Sequence, residues 1–310
     1  MDDFGDSGEL YTIRNQFYTN QHHRVKAYDL GSFSKEHQLK VLEFQIRSTI
    51  ALEQDASELI KKGKSLFPES EAFFQLLEAF DDLKLFGTDN STYFEDVKVA
   101  TFELQAVLTA IYLVKFDKDI DQAITFLTQY IDSCSNQFQL EPFLVLVQLY
   151  LVQGKFSQAL GVFDSLQKIS SNVSDNIIYE VIASWIQSIK GETENINNSY
   201  YFYDELLSTD FDDDNQSKFR ILNVLFVLTL QLKHYPEAEQ ILKQIEQLSP
   251  KPNSDFIANQ ITYDFLVHNG ENVPKLLSQL QELDNAHPLL SDLKEKNKLF
   301  DEVVLKYQLV

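Results

Sequence analysis

Phe143-Leu144-Val145-Leu146-Val147-Gln148-Leu149-Tyr150-Leu151-Val152-Gln153-Gly154-Lys155-Phe156-Ser157-Gln158-Ala159-Leu160-Gly161-Val162-Phe163 is the stretch whose reading decides the fold. A long apolar run ends at a glycine, a short polar step follows, and a small residue, Ala159, sits inside a second amphipathic run. A second copy runs from Leu222 through Tyr235-Pro236-Glu237-Ala238-Glu239-Gln240-Ile241-Leu242 to Leu248-Ser249-Pro250. A looser one runs from Leu104 through Tyr112 and Ala123 to Tyr130. Each copy reads as helix, tight turn, helix, with the small residue where the two helices cross. The equivalent small positions Ala123, Ala159, Ser199 and Ala238 lie 36, 40 and 39 residues apart.

Spacing a little above the usual repeat of about 34 residues, with this turn chemistry, is the tetratricopeptide pattern. The sequence therefore predicts an all-α fold: a tetratricopeptide-like, right-handed α-solenoid of antiparallel helix pairs with a C-terminal capping helix. One such hairpin cannot bury its apolar face alone, so copies must stack, and stacked copies commonly hold another protein. The extra residues per repeat are expected in turns, since an insertion within a helix rotates its apolar face out of register. Two candidates are Gly191-Glu192-Thr193-Glu194-Asn195-Ile196-Asn197-Asn198 and the polar stretch Thr209-Asp210-Phe211-Asp212-Asp213-Asp214-Asn215.

Composition supports this class. Nine Gly and seven Pro in 310 residues supply too little turn chemistry for a many-stranded sandwich or barrel. The 24 Phe and 14 Tyr offer apolar area suited to layers of stacked helices. With 44% hydrophobic residues the chain is too apolar to be disordered as a whole. A formal net charge of -21 repels nucleic acid and anionic lipid head groups, and favours a basic partner or simple solubility. The acidic opening Met1-Asp2-Asp3-Phe4-Gly5-Asp6 lacks the layout of a signal peptide. Apolar runs such as Val224 to Leu230 fall far short of a bilayer span. A cytoplasmic protein is expected, in which the sequons at Asn90, Asn172, Asn197 and Asn215 go unglycosylated.

Residues 1–8 read as a short mobile acidic tail and 9–310 as one solenoid domain, with the clearest repeats within 94–250. Helical spacing begins at Leu10, Ile13, Phe17 and Val25. It continues through Leu39, Leu42, Phe44, Ile46 and Ile50, then Ala56, Leu59 and Ile60. Pro68-Glu69-Ser70-Glu71 marks another helix start. A last helix over about 288–308 carries an apolar stripe opposite a charged face, as a capping helix requires.

The chemical motifs resolve into structure. Gly63-Lys64-Ser65 imitates the end of a phosphate loop, but Glu58 stands where the loop needs a glycine. Asp210, Asp212 and Asp214 have calcium-loop spacing, yet Asn215 replaces the turn glycine and Ile221 the closing Glu. His22-His23 has no ligand partner at metal spacing and reads as a solvated pair. Cys134, the only cysteine, lacks a neighbouring base and reads as a packing or exposed thiol. No catalytic residue, cofactor site or metal site is nominated.

Trp185-Ile186-Gln187-Ser188-Ile189-Lys190-Gly191-Glu192, followed by Ser199-Tyr200-Tyr201-Phe202-Tyr203-Asp204-Glu205-Leu206, resembles the epsilon subunit family of coatomer. Ala286-His287-Pro288-Leu289-Leu290 leading to Phe300-Asp301, Val304-Leu305 and Tyr307 is similar to that family's ending. Glu9-Leu10-Tyr11 with Asn15-Gln16-Phe17-Tyr18 is similar to its opening. These matches bracket almost the whole chain, with departures between Val25 and Val99. The resemblance implies a non-catalytic subunit of the COPI vesicle coat, bound to the alpha-COP C-terminal domain and through it to the rest of coatomer. It also implies a cytoplasmic location, peripheral on Golgi membranes and coated vesicles. The other reading is a cytosolic adaptor of the same repeat class that docks a different partner.

The first helix of each hairpin lines the concave face of such repeats. Counting back from Gly154, Gly191 and Lys233, the inward positions are Leu144, Gln148, Leu151, Trp185, Ile189, Val227 and Leu230. From Ala123 they are Leu108, Tyr112 and Phe116. This partner-binding groove is apolar, which suits a permanent occupant better than a terminal carboxylate. Trp185 fits either a ring packed between hairpins or an anchor for that occupant.

Overall fold

Ala123, Ala159, Ser199 and Ala238, the four positions that set the repeat, are all fully buried. Full burial is what the repeat register requires of these four positions. The computed structural model describes residues 8–88, 92–134, 139–168, 173–208, 211, 214–248 and 251–307. Residues 1–7, Asn90, Asn172, Asp210, Asp212, Ser249 and Pro250 lie outside them. Among the described residues there are seventeen α-helices, three short 3-10 turns and no strand.

The backbone divides into two compact units at Lys190 and Gly191. In the first, α1 (Tyr11–Tyr18), α2 (His22–Ala27) and α3 (Lys35–Ala51) precede α4 (Ser57–Leu66) and α5 (Glu71–Phe86). A single turn, α6 (Tyr93–Asp96), leads into α7 (Glu103–Lys115), α8 (Ile120–Ser133), α9 (Glu141–Val152), α10 (Phe156–Leu166) and α11 (Ile177–Lys190). Consecutive helices form hairpins, and α3, α5, α7, α9 and α11 pack in succession. In addition α1 lies against both α3 and α11. The second unit contains α12 (Thr193–Ser208), α13 (Asn215–Gln231), α14 (Tyr235–Leu248), α15 (Ser254–Val267), α16 (Val273–Leu283) and α17 (Pro288–Tyr307). Here α13 pairs with α12 and α14, and α15 with α13 and α16.

Local chemistry explains the helix ends. Asp119, Asp214 and Asn253 cap α8, α13 and α15 by accepting the N–H of Gln122, Ser217 and Phe256. Asp214 is thus a helix cap, not a cation ligand. A recurring stop closes the first helices: one residue turns left-handed, and the next N–H returns to a carbonyl five residues back. Gly154 does this at φ 69°, with Lys155 N–H bonded to Tyr150 at 2.8 Å. Lys233 repeats it at φ 61° (His234 to Thr229) and Glu53 at φ 59° (Gln54 to Thr49).

Two expectations need correction. The long turn at Gly191 is only two residues, because Thr193 to Asn198 already belong to α12. The insertion adds nearly one full turn at the helix start, ahead of Ser199, so the apolar face stays in register. His22 is not solvated: only 7% exposed, it places Nδ1 3.1 Å from Ser48 Oγ, while His23 faces solvent. Glu9, where the solenoid is expected to begin, accepts from the N–H and hydroxyl of Ser34 at 2.9 and 2.7 Å.

The last helix runs as the sequence implies, yet it covers its neighbours with its first turn. Leu290 is buried and Leu289 packs beside it on the α15–α16 core. Leu299, Phe300, Val303, Leu305 and Tyr307 stay exposed.

Candidate partner-binding site

In the first unit the inward positions separate by helix. On α7, Leu108 and Tyr112 are buried and Phe116 is half-buried. The Tyr112 ring stacks between Phe94 and Phe116 at 5.1 and 5.8 Å. Leu108 instead forms part of the wall of a cavity, with Phe17, Ile50 and Phe80. On α9, Leu144 and Leu151 are half-buried and Gln148 is exposed. On α11, Trp185 is half-buried and Ile189, one turn later, is 51% exposed. In the second unit α13 carries half-buried Val227 and buried Leu230. Tyr112 and Leu230 therefore act chiefly as framework, whereas Leu144, Gln148, Leu151, Trp185 and Ile189 remain reachable.

Between α3, α7 and α9 lies an ionic cluster that motif reading missed. Arg47 on α3 donates to Glu43 at 3.0 Å and, through both terminal nitrogens, to the two oxygens of Glu141 on α9. Lys40 donates to both Glu43 oxygens, at 3.0 and 2.9 Å. Glu103 on α7 accepts the backbone N–H of Glu141 at 3.3 Å. The Arg47 guanidinium also lies 4.6 Å over the Phe17 ring. Burial disfavours both charges of the Arg47–Glu141 pair, but each partner overrides it, raising the pKa of Arg47 and lowering that of Glu141. Glu103 has no such counterion in contact. Burial, with help from Glu141 and Glu43 and against Lys40, pushes its carboxyl up to about 7.

The signal for this cluster was present as charged residues inside apolar runs: Glu43 and Arg47 between Val41 and Ile50, and Asp81 between Leu76 and Leu83. Such a residue on a buried helical face must find a partner, but its sequence does not say which helix supplies it. Among the described residues no cluster of three or more metal-ligating side chains forms. Cys134 is partly buried, its Sγ 3.2 Å from Gln139 Oε1. Asn197 lies within α12 and Asn215 opens α13.

Comparison with known proteins gives one consistent answer. The family model described as coatomer epsilon subunit matches residues 6–308. Coatomer subunit epsilon of Saccharomyces cerevisiae is 25% identical over 313 residues, covering 96% of this chain and 98% of the yeast protein. Probable coatomer subunit epsilon of Schizosaccharomyces pombe is 24% identical over 205 residues, covering 66% of this chain and 64% of that protein.

Proposed function

The chain belongs to the coatomer epsilon subunit family, and from that premise we propose that it is a structural, non-catalytic subunit of the COPI coat that binds and stabilises the alpha-COP C-terminal domain. The observation that carries this reading is a family match spanning residues 6–308, which includes both units. In this role the protein serves Golgi-to-ER and intra-Golgi transport, resides in the cytoplasm and reaches Golgi membranes and vesicles through the coat. Among the described residues no helix is long and apolar enough to cross a membrane, which is compatible with attachment through other subunits.

The contact is proposed on α9 and α11, where Leu144, Leu151, Trp185 and Ile189 offer apolar side chains at or near the surface. Aromatic and aliphatic anchors of this kind dominate interface energies. Immunoprecipitation from cells should recover a stoichiometric set of coat subunits, and recovery of none would refute the reading. Titration of an alpha-COP C-terminal fragment tests the surface. Replacing Trp185 and Ile189 together by Ala is expected to weaken binding by about 2 kcal/mol or more. Unchanged affinity in a folded double variant would remove both residues from the contact.

A further inference from the structure

Asp81, in the middle of α5, is a buried carboxylate with one oxygen unserved. It is 2% exposed, its Oδ2 accepts the Ala56 N–H at 3.2 Å, and its Oδ1 accepts no hydrogen bond. Burial, and then the neighbouring carboxylates Asp55 and Asp82, raise its pKa to about 6, against the pull of the Ala56 N–H. An unmade hydrogen bond at a buried charged group is costly, and native folds satisfy nearly all such groups. Oδ1 can therefore accept one more hydrogen bond.

The surroundings indicate what kind of donor. Asp81 shares a cavity of about 720 Å³ with Phe17, Ile50, Phe80, Leu108 and Ile111. That size lies within the range of ligand sites, and the rim at Glu53, Gln54, Lys84 and Leu85 is exposed. Two cations of the chain line the cavity, and neither bonds to Asp81. Arg47 is held by Glu43 and Glu141, and Lys84 lies 5.7 Å over the Phe80 ring. Apolar walls around an anion suit a side chain with an aliphatic stem and a cationic head. Among cations a guanidinium is the better match, because it is more weakly hydrated than an ammonium. The net charge of -21 also draws a basic segment toward the protein.

We propose that this cavity seats an arginine side chain of the partner polypeptide, with its stem against the aliphatic wall of Ile50, Leu108 and Ile111 and its guanidinium on Asp81. The proposal rests on the reading that the chain docks another protein, though not on which one.

The intact protein is titrated with N-acetyl-arginine amide and followed by amide NMR, beside N-acetyl-norleucine amide, which lacks the charge. The arginine probe should give saturable shifts at the Ala56 and Phe80 amides that the norleucine probe does not reproduce. Asp81→Asn keeps an acceptor for Ala56 and should weaken the probe at least tenfold. In the unaltered protein, affinity should fall about tenfold between pH 7.5 and 5 as Asp81 takes up a proton. This arm reads the site even if the variant misfolds. Absence of saturable shifts, equal response to both probes, equal affinity in a folded Asp81→Asn protein, or affinity constant down to pH 5 would each overturn the proposal. Coat assembly is not read by these probes, so the two readings fail separately.

Discussion

The Arg47 guanidinium grips both oxygens of Glu141, a residue 94 positions further along the chain. The pair joins α3 to α9 across two intervening hairpins, with each side chain less than a tenth exposed. Removing one partner of such a pair leaves the other buried and uncompensated. Arg47→Met should therefore destabilise the first unit by about 3–5 kcal/mol. Adding Glu141→Leu should recover much of the loss, because a well-packed apolar replacement is often neutral. Urea unfolding followed through Trp185, the only tryptophan, measures both. A loss below 1 kcal/mol for the single variant would contradict the geometry.

Glu103 makes stability depend on pH. Its carboxyl is raised from 4.5 in the unfolded chain to about 7 in the fold, by burial and by Glu141 and Glu43 against Lys40. The folded state thus holds a proton that the unfolded state has released, and stability falls as pH rises from about 4.5 to 7, by up to about 3 kcal/mol from this group. Asp81, raised to about 6, acts in the same direction. Glu103→Gln keeps an acceptor for the Glu141 N–H and should raise the melting temperature at pH 8 far more than at pH 4.5. Equal shifts at both pH values would show that Glu103 is ionised in the fold.

Two glycines in helices should answer oppositely to alanine. A Cβ on Gly63 would lie 2.2 Å from Phe74 Cε1 and 3.0 Å from Leu42 Cδ2, so α4 sits against α5 only because no side chain intervenes. Gly63→Ala should cost about 1–3 kcal/mol through overpacking. A Cβ on Gly161 meets nothing within 4 Å. Gly161→Ala on exposed α10 should gain up to about 1 kcal/mol of helix propensity. Thermal melts of both variants decide the matter, and loss of stability in both would mean that the helix crossing is misplaced.

The turn at Lys233 offers the converse test. Its left-handed backbone costs a side-chain-bearing residue about 1–2 kcal/mol, which Lys233→Gly relieves. Part of that gain is lost to the freer unfolded chain, leaving a net stabilisation of about 1 kcal/mol or less. Gly154→Ala, at the equivalent turn, should destabilise by a similar amount. A destabilised Lys233→Gly protein would show that the Lys233 side chain contributes more than its backbone strain costs.

These turns show what the sequence disclosed and what it concealed. Gly154 and Gly191 are readable as stops, and Ala123, Ala159, Ser199 and Ala238 as buried small positions, because letter and environment agree there. At Glu53 and Lys118 the same left-handed backbone carries residues that do not ordinarily announce it, whereas Lys233 is readable as a turn from its place in the repeat. The helical faces are legible from apolar periodicity, but Tyr112 and Leu230, expected to line a groove, are each 7% exposed. Periodicity marks an apolar face without telling whether protein or partner covers it. The cavity at Asp81 required three-dimensional neighbours from α1, α3, α5 and α7, which no local spacing encodes.

The pairing of Arg47 with Glu141 also orders events during synthesis. Stacked hairpins ordinarily form as each neighbour emerges, and the α13–α14 hairpin of the second unit can do so. In the first unit, α3 leaves the ribosome with Arg47 lacking its Glu141 partner, and α1 waits longer still for α11. At about 5–20 residues per second, the 94 residues up to Glu141 take roughly 5–20 s to appear. Through that interval the face of α3 that will hold Glu141 is open to other polypeptides. Ribosome-bound chains halted before α9 should accordingly be cleaved by protease within α3, and chains halted after α11 should resist.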